Sequence, residues 1–178
     1  MTIILIGFKN SGKTSLGRAL AKKVKLKFLD TDTLIEKAFY EQSEYSLPVR
    51  DIYLRLGEET FRTFEARRII SIRKGDADII STGGGTVLNE GSAAHLKGLG
   101  KVIYLFTTPD LLFKRMMVSD RLPAFINEDD PKTSFETYFN KRAPQYLSIA
   151  DEILDVCHND LLKKLDDLKK TGGFYGRE

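Results

Sequence analysis

Short apolar runs alternate with amphipathic stretches along most of this 178-residue chain. Five runs have the character of strands: Ile3–Ile6, Lys27–Leu29, Asp78–Ser81, Val102–Phe106 and Asp151–Asp155. Helical spacing recurs over Thr14–Lys23, Thr31–Tyr40, Asp51–Lys74, Gly91–Gly98, Asp110–Ser119, Ser134–Leu147 and Asp160–Lys169. Short, continuous apolar strands that alternate with helices indicate a parallel sheet covered on both faces. The pattern therefore predicts an α/β fold with five parallel strands, and the length fits one domain.

The segment after the first strand carries the most specific motif of the chain. It reads Gly7-Phe8-Lys9-Asn10-Ser11-Gly12-Lys13-Thr14 and leads directly into a helix. The alternative is an ordinary tight turn. The G-x-x-x-x-G-K-[ST] motif lies between a strand and a helix, and this context favours a phosphate-binding loop. Backbone N–H groups of such a loop surround a β-phosphate. Lys13 would reach the β- and γ-phosphates, and the Thr14 hydroxyl would coordinate Mg²⁺.

Two carboxylates follow the second strand, in Asp30-Thr31-Asp32. One carboxylate at the start of a helix is commonly an N-cap. Two carboxylates beside a phosphate loop exceed what capping needs. We expect one of them to orient the Mg²⁺ shell and the other to accept a hydrogen bond from a substrate hydroxyl.

Three consecutive glycines, Gly83, Gly84 and Gly85, follow the third strand. Glycines lose more conformational entropy on ordering than other residues. They are used where φ is positive or where a backbone closely approaches a ligand, although a plain flexible loop is the alternative. Ligands of parallel sheets bind at the carboxyl ends of the strands, and this position favours ligand contact.

The remaining charged residues indicate a function only when they are considered together with the other motifs. Arg62 and Glu65 are three residues apart on a predicted helix, which on its own predicts an ordinary intrahelical ion pair. Arg121 lies in a segment that we expect to be mobile and that ends in a polar, turn-rich stretch, Asn127–Pro131. A basic residue there is either solvated or a lid arginine that closes on a transferring phosphoryl group.

Charge and cysteine content exclude several classes of protein. A net charge of +3 suits an anionic ligand but is far from the basic stripe of a nucleic-acid binder. The single cysteine, Cys157, excludes an internal disulfide framework and indicates a reducing, cytoplasmic setting. No segment approaches the length of a membrane span. We expect a cytoplasmic protein, monomeric, that binds neither nucleic acid nor membranes.

Taken in order, these motifs resemble the shikimate kinase family. The resemblance runs from Gly7 to about Asn159. Beyond the phosphate loop it is carried by Phe28-Leu29-Asp30-Thr31-Asp32, Phe61-Arg62-Thr63-Phe64-Glu65, the three glycines, the lid arginine, and Arg142 with Tyr146 after it. It implies a three-layer P-loop kinase fold with a substrate-binding region at about 31–65 and a mobile lid at about 118–131. It also implies phosphorylation of the 3-hydroxyl of shikimate by ATP, the fifth step of the pathway to chorismate and aromatic amino acids.

The resemblance also implies a role for each matched residue. The catalytic residues would be Lys13, Asp32 and Arg121. ATP would be bound by Asn10, Ser11, Gly12, Lys13, Thr14, Ser15, Arg115 and Arg121. Shikimate would be bound by Asp32, Phe61, Arg62, Glu65, Gly83, Gly84, Gly85 and Arg142. Thr14 would hold Mg²⁺ directly, and Asp30 would hold it through water.

The chain departs from the family pattern in its lid. The family usually has Arg-Pro-Leu, whereas this chain has Arg121-Leu122-Pro123-Ala124. The arginine is present and the proline is displaced by one position. Arg115 and the loop at His158-Asn159 match the adenine-binding part of the family only loosely.

Two other functions would also use a phosphate loop. A gluconate kinase would share the phosphate loop, but the two aspartates, the arginine pair and the triple glycine together argue against it. A guanine-nucleotide switch would need Asp-x-x-Gly to sense the γ-phosphate, and no glycine of the sequence has Asp three residues before it. Asn140-Lys141-Arg142-Ala143 begins a guanine-reading motif but has alanine where the carboxylate should be.

Overall fold

The computed structural model describes residues 2–118, 123, 126–127, 129–157 and 160–173, apart from the side chains of 161 and 162. The strands are β1 (Thr2–Ile6), β2 (Phe28–Asp30), β3 (Ile79–Ser81), β4 (Gly100–Phe106) and β5 (Glu152–Asp155). The helices are α1 (Lys13–Lys23), α2 (Thr31–Ser43), α3 (Val49–Leu56), α4 (Glu58–Ile70), α5 (Glu90–Leu99), α6 (Pro109–Met117), α7 (Pro131–Ile149) and α8 (Leu161–Thr171). A 3₁₀ turn covers Thr86–Leu88.

The five strands form one parallel sheet in the order β2-β3-β1-β4-β5. The central strand β1 is buried along its whole length, which explains its uninterrupted apolar sequence. Because side chains alternate across a strand, Ile4 and Ile6 enter one core and Ile3 and Leu5 enter the other. The first core is covered by α4, α5, α6 and α7, and the second by α1 and α8. The predicted three-layer α/β/α architecture is confirmed.

One predicted helix is wrong in its extent. Spacing predicted a single helix over 51–74, but the structure has α3 and α4, separated at Gly57. Gly57 has φ 75° and ψ 165°, a backbone conformation that is essentially restricted to glycine. The helical backbone is therefore interrupted there.

Pro144 is an unusual residue for the interior of a helix. Helix α7 continues to Ile149 with Pro144 inside it. Proline cannot donate the backbone hydrogen bond of an interior helical residue. Arg142 and Tyr146, on either side of the proline, are both buried.

Helices α2, α3 and α4 share a small apolar core of their own. Ile35, Phe39, Ile52 and Phe61 pack together there, separately from the two faces of the sheet. These helices make up most of the 31–65 region. The small core holds them beside the carboxyl edge of the sheet, where the site lies.

Candidate active site

The phosphate loop follows β1 and has a backbone that only certain residues permit. Gly7 has φ 137°, and a Cβ there would lie 3.0 Å from the Leu105 carbonyl oxygen. Asn10 and Gly12 also have positive φ, at 67° and 96°. Gly12 is the N-cap of α1, so the loop delivers the free N–H groups of a helix N-terminus to one place.

Lys13 lies against this loop and is buried. Its Nζ donates to the carbonyl oxygens of Gly7, at 3.0 Å, and of Phe8, at 2.7 Å. Burial lowers the pKa of Lys13 to about 8, against the opposing charges of Asp32 and Asp30. An ammonium group carries three donors, so one remains for an incoming phosphate oxygen.

Ser11 supplies a second observation that fits a phosphate. Its Oγ is buried and has no hydrogen-bond partner among the residues that the structure describes. A buried hydroxyl without a partner carries a desolvation cost. An anion bound in the loop would satisfy it.

Thr14 and Asp30 meet directly at the carboxyl edge of the sheet. The Thr14 hydroxyl donates to Asp30 Oδ2 at 2.7 Å and lies 3.2 Å from Ser81 Oγ. The other Asp30 oxygen accepts from the backbone N–H of Asp32 and so caps α2. A hydroxyl and a carboxylate are oxygen ligands of the kind that Mg²⁺ prefers. These two residues fit the metal that the sequence predicts.

Asp32 stands in the first turn of α2 with an altered proton affinity. Burial, followed by the nearby Asp30 charge, raises the pKa of Asp32 from 3.8 to about 6, and the Lys13 ammonium opposes this. A carboxylate with a pKa near the working pH is suited to accept a proton from a hydroxyl. A raised pKa in a cavity also marks a candidate functional group.

The ion pair between Arg62 and Glu65 forms as the spacing predicts. Arg62 Nη1 donates to Glu65 Oε2 at 2.7 Å. Glu65 is 3% exposed, and its other oxygen accepts from the Thr86 hydroxyl at 2.8 Å. The carboxylate is thus fixed on both sides. It holds the guanidinium in one orientation.

The triple glycine is used for close approach, since none of the three has positive φ. A Cβ at Gly85 would overlap the Arg62 guanidinium, and one at Gly83 would lie 2.9 Å from Asp32 Oδ1. The Gly83 N–H donates to the Thr31 hydroxyl at 2.9 Å. Of the two uses expected from the sequence, positive φ is thus wrong, and close approach to a ligand stays a prediction; the glycines do let the Arg62 and Asp32 side chains approach the backbone.

Arg142 reaches the same glycines from α7. Its Nη1 donates to the Gly84 carbonyl oxygen at 3.2 Å and to the Tyr138 hydroxyl at 3.0 Å. The Tyr146 hydroxyl donates to the same Gly84 oxygen. Arg142 is only 8% exposed.

One cavity of about 340 Å³ brings most of the predicted residues together. The phosphate-loop side contributes Asn10, Gly12, Lys13, Thr14 and Ser15. The predicted shikimate-binding residues also line it: Asp32, Phe61, Arg62, Glu65, the three glycines and Arg142. This volume suits a small-molecule ligand.

A second cavity of about 230 Å³ lies on the other side of the phosphate loop. Its lining includes Ser11, Arg115 and Lys164, together with Asn10 and Gly12 of the loop. Arg115 Nη1 donates to the Asn10 carbonyl oxygen at 3.3 Å. Arg115 therefore contacts the phosphate loop, and its role in ATP binding stays a prediction.

Part of the predicted lid lies outside the described residues, including Arg121. Of the remainder, Pro123 lines the larger cavity. Ile126 is buried in the core between the sheet and α7. The adenine-binding loop suggested at His158-Asn159 also lies outside the described residues.

Sequence reasoning missed several residues of the larger cavity: Lys9, Val49, Arg50, Tyr53, Thr82 and Tyr138. Three of these lie on α3, which the pattern merged with α4. Tyr138 was available from spacing, because it precedes Arg142 by four residues and so shares its helix face.

Comparison with known proteins identifies the family. A family model described as shikimate kinase matches residues 9–167. The chain belongs to the shikimate kinase family. A shikimate kinase of Moorella thermoacetica is 35% identical over 153 residues, which cover 86% of this chain and 83% of that protein. One of Histophilus somni is 32% identical over 94% of this chain and 96% of that protein.

Solved structures of the family have the same fold. Shikimate kinase from Acinetobacter baumannii in complex with shikimate superposes with a TM-score of 0.82, at 25% identity, over 98% of this chain and 94% of that one. Shikimate kinase from Bacteroides thetaiotaomicron gives 0.79 at 27% identity, over 96% and 97%. The P-loop kinase fold and the family predicted from the sequence are both confirmed. Within the described ranges, each helix is too short or too polar to cross a membrane.

Proposed function

We propose that this protein transfers the γ-phosphoryl group of ATP to the 3-hydroxyl of shikimate. The observation that carries the proposal is the shared cavity, which is lined both by the phosphate loop and by Asp32, Arg62 and Arg142. A donor site and an acid-binding site thus meet in one space. Shikimate is a small carboxylate with vicinal hydroxyls, and a structural relative was solved with it bound.

The phosphate loop would hold the donor. Backbone N–H groups between Gly7 and the start of α1 surround the β-phosphate, and Ser11 Oγ gains the partner that it lacks. Lys13 turns one of its donors toward the β- and γ-phosphates. In the smaller cavity, Arg115 and Lys164 place positive charge beside the loop.

Thr14 and Asp30 are the residues that would hold Mg²⁺, Thr14 directly and Asp30 through water. Bound there, the ion would neutralise charge on the phosphate oxygens. The 2.7 Å contact between the two side chains places both oxygens at one point.

Arg62 and Arg142 would hold the carboxylate of shikimate. Guanidinium groups bind carboxylates through paired N–H donors. Arg62 is fixed by Glu65, and Arg142 is anchored on Gly84. Phe61, 4% exposed at the cavity wall, would pack against the ring of shikimate.

Asp32 would accept the proton of the 3-hydroxyl as that oxygen bonds to the γ-phosphorus. The bond from phosphorus to the β,γ-bridging oxygen breaks, and ADP leaves with that electron pair. Arg121, on the lid, would stabilise the charge on the transferring group. Positioning and charge neutralisation dominate such reactions.

Three further properties complete the proposal. The donor is MgATP, the working unit is a monomer and the compartment is the cytoplasm. The charge and oxygen ligands of the site support the first, and the single cysteine supports the last.

The test is steady-state ADP release with MgATP and a panel of acceptors: shikimate, gluconate and nucleoside monophosphates. We expect turnover with shikimate far above hydrolysis in water. A higher kcat/KM with gluconate would support the related kinase instead. No acceptor-dependent release with shikimate would overturn the proposal.

A further inference from the structure

Tyr138 makes two different contacts with the same guanidinium group. It lies on α7, one turn before Arg142, and Arg142 Nη1 donates to its hydroxyl at 3.0 Å. The guanidinium carbon of Arg142 also lies 4.2 Å from the centre of the Tyr138 ring. A hydrogen bond fixes the direction of one N–H, and a ring beneath the group favours one plane. Together they restrict the guanidinium more than either contact would alone.

The ring of Tyr138 is itself held by the phosphate loop. Phe8 of that loop packs against it edge-on, with ring centres 5.5 Å apart. Phe8 also stacks on Phe139 at 4.6 Å and meets Tyr146 edge-on at 4.8 Å. Such aromatic pairs stabilise particular relative orientations. The Tyr138 ring is therefore a fixed support rather than a mobile neighbour.

The glycine loop, Gly83–Gly85, lies next to both Tyr138 and Arg142. A Cβ at Gly84 would lie 3.6 Å from the Tyr138 hydroxyl oxygen, and the Gly84 carbonyl accepts from both Arg142 and Tyr146. Tyr138 thus stands where the phosphate loop, the glycine loop and α7 meet. It also lines the larger cavity.

Arg62 and Arg142 both line the larger cavity, but they make hydrogen bonds of different kinds. Arg62 bonds to the Glu65 carboxylate at 2.7 Å. Arg142 bonds to the oxygens of Tyr138 and Gly84, which are neutral. Burial raises the pKa of the Tyr138 hydroxyl, so it stays neutral at physiological pH. Bonds to neutral oxygens orient a guanidinium without cancelling its charge toward an incoming carboxylate.

We propose that Tyr138 is a positioning residue that orients Arg142 toward the carboxylate of the acceptor. This inference rests on the proposed function, in which Arg142 binds that carboxylate. It assigns Tyr138 no contact with the reacting atoms. Tyr138 acts on acceptor affinity through Arg142.

The test compares steady-state constants of Tyr138→Phe and Tyr138→Leu with the wild type. Tyr138→Phe keeps the ring and removes the hydroxyl, and we expect it to raise the KM for shikimate by about threefold to tenfold, the worth of one hydrogen bond. Tyr138→Leu removes both contacts and should raise it further. In Tyr138→Phe the KM for ATP and kcat should stay within about twofold, because the ring that packs on Phe8 of the phosphate loop is kept. Tyr40→Phe, at an exposed position on α2, is the control and should change nothing.

A double-mutant cycle separates positioning from a general structural role. In an Arg142→Ala background, Tyr138→Phe should no longer change the KM for shikimate, because the group that it orients is gone. The same increase in both backgrounds would overturn the proposal, as would an unchanged KM in the single variant. Absence of shikimate turnover in the wild type would instead overturn the proposed function. Thermal unfolding of every variant, compared with the wild type, confirms that the measured chains are folded.

Discussion

Asp30 shows how one side chain serves structure and chemistry together. One of its oxygens caps α2 through the Asp32 N–H at 2.9 Å, and the other accepts from the Thr14 hydroxyl at 2.7 Å. Capping and metal binding were alternatives for the pair of aspartates in the sequence. In the structure Asp30 is the cap, and its second oxygen still meets Thr14, the other residue of the proposed metal site. Asp32 is left free of capping, facing the cavity.

Asp32→Asn should separate catalysis from nucleotide binding. An amide cannot accept the hydroxyl proton, so kcat should fall by about a hundredfold to ten-thousandfold. Calorimetric titration should show ATP affinity within a few-fold of the wild type, because Asp32 acts on the acceptor. Strongly weakened ATP binding would contradict this role.

The same substitution should stabilise the fold in a pH-dependent way. The pKa of Asp32 is about 6 in the folded protein against 3.8 ordinarily, so the folded state favours the protonated carboxyl. Stability is therefore lost as pH rises from about 4 to 6, and removal of the charge regains on the order of 1–3 kcal/mol at pH 8. Urea unfolding without nucleotide should show that gain at pH 8 and little of it at pH 4. An equal difference at both pH values would count against a buried, charged Asp32.

At the scale of elements, the glycine loop and α4 are fitted to one another. The Arg62 guanidinium occupies the space that a side chain at Gly85 would need. The guanidinium is the far end of a flexible chain, so it can move without disturbing the backbone. Loss of Gly85 therefore affects the site more than the fold.

Gly85→Ala should raise the KM for shikimate by about tenfold, since Arg62 must leave its place beside Glu65 and a charged hydrogen bond is weakened. Gly98→Ala is the matched control, because a Cβ there meets nothing within 4 Å. In the last turn of α5 (Glu90–Leu99) it should instead leave the stability unchanged or raise it by less than about 1 kcal/mol. Steady-state kinetics and urea unfolding of both variants decide. An unchanged KM in Gly85→Ala would show that Arg62 does not bind the acceptor in this position.

The predicted lid can be tested by limited proteolysis. We expect the segment around 118–131 to close over bound ligands. Trypsin cleavage after Arg121 should then slow severalfold with MgATP and shikimate, while cleavage at the exposed turn of Arg73 and Lys74 should not change. Equal sensitivity at Arg121 with and without ligands would argue against closure.

The periodicity of the sequence predicted most helices and strands, but it predicted the residues at which they begin and end less accurately. Apolar runs located all five strands to within two residues at either end. The break between α3 and α4 was missed because it depends on one positive φ, at Gly57, and helical spacing continues across it. Helix α7 continues through Pro144, a residue that would usually end or kink an isolated helix.

At the scale of the molecule, the site depends on strand order. The order β2-β3-β1 places the ends of three strands side by side, so Asp30, Ser81 and the phosphate loop become neighbours. Periodicity contains no information on which strands are adjacent. The resemblance to the shikimate kinase family predicted that Asp30 and the phosphate loop belong to one site. The strand order is the physical reason that they lie close together. Contacts such as Arg142 to Gly84, separated by 58 residues, could not be read from local pattern.

We propose that this protein binds a phosphate donor and a hydroxylated acid in one cavity and transfers a phosphoryl group between them. Phosphorus NMR of the products from MgATP and shikimate tests it most directly. We predict ADP together with a phosphomonoester whose phosphorus couples to the proton on carbon 3 of shikimate. Inorganic phosphate as the sole new species besides ADP, or an ester at another hydroxyl, would contradict the account.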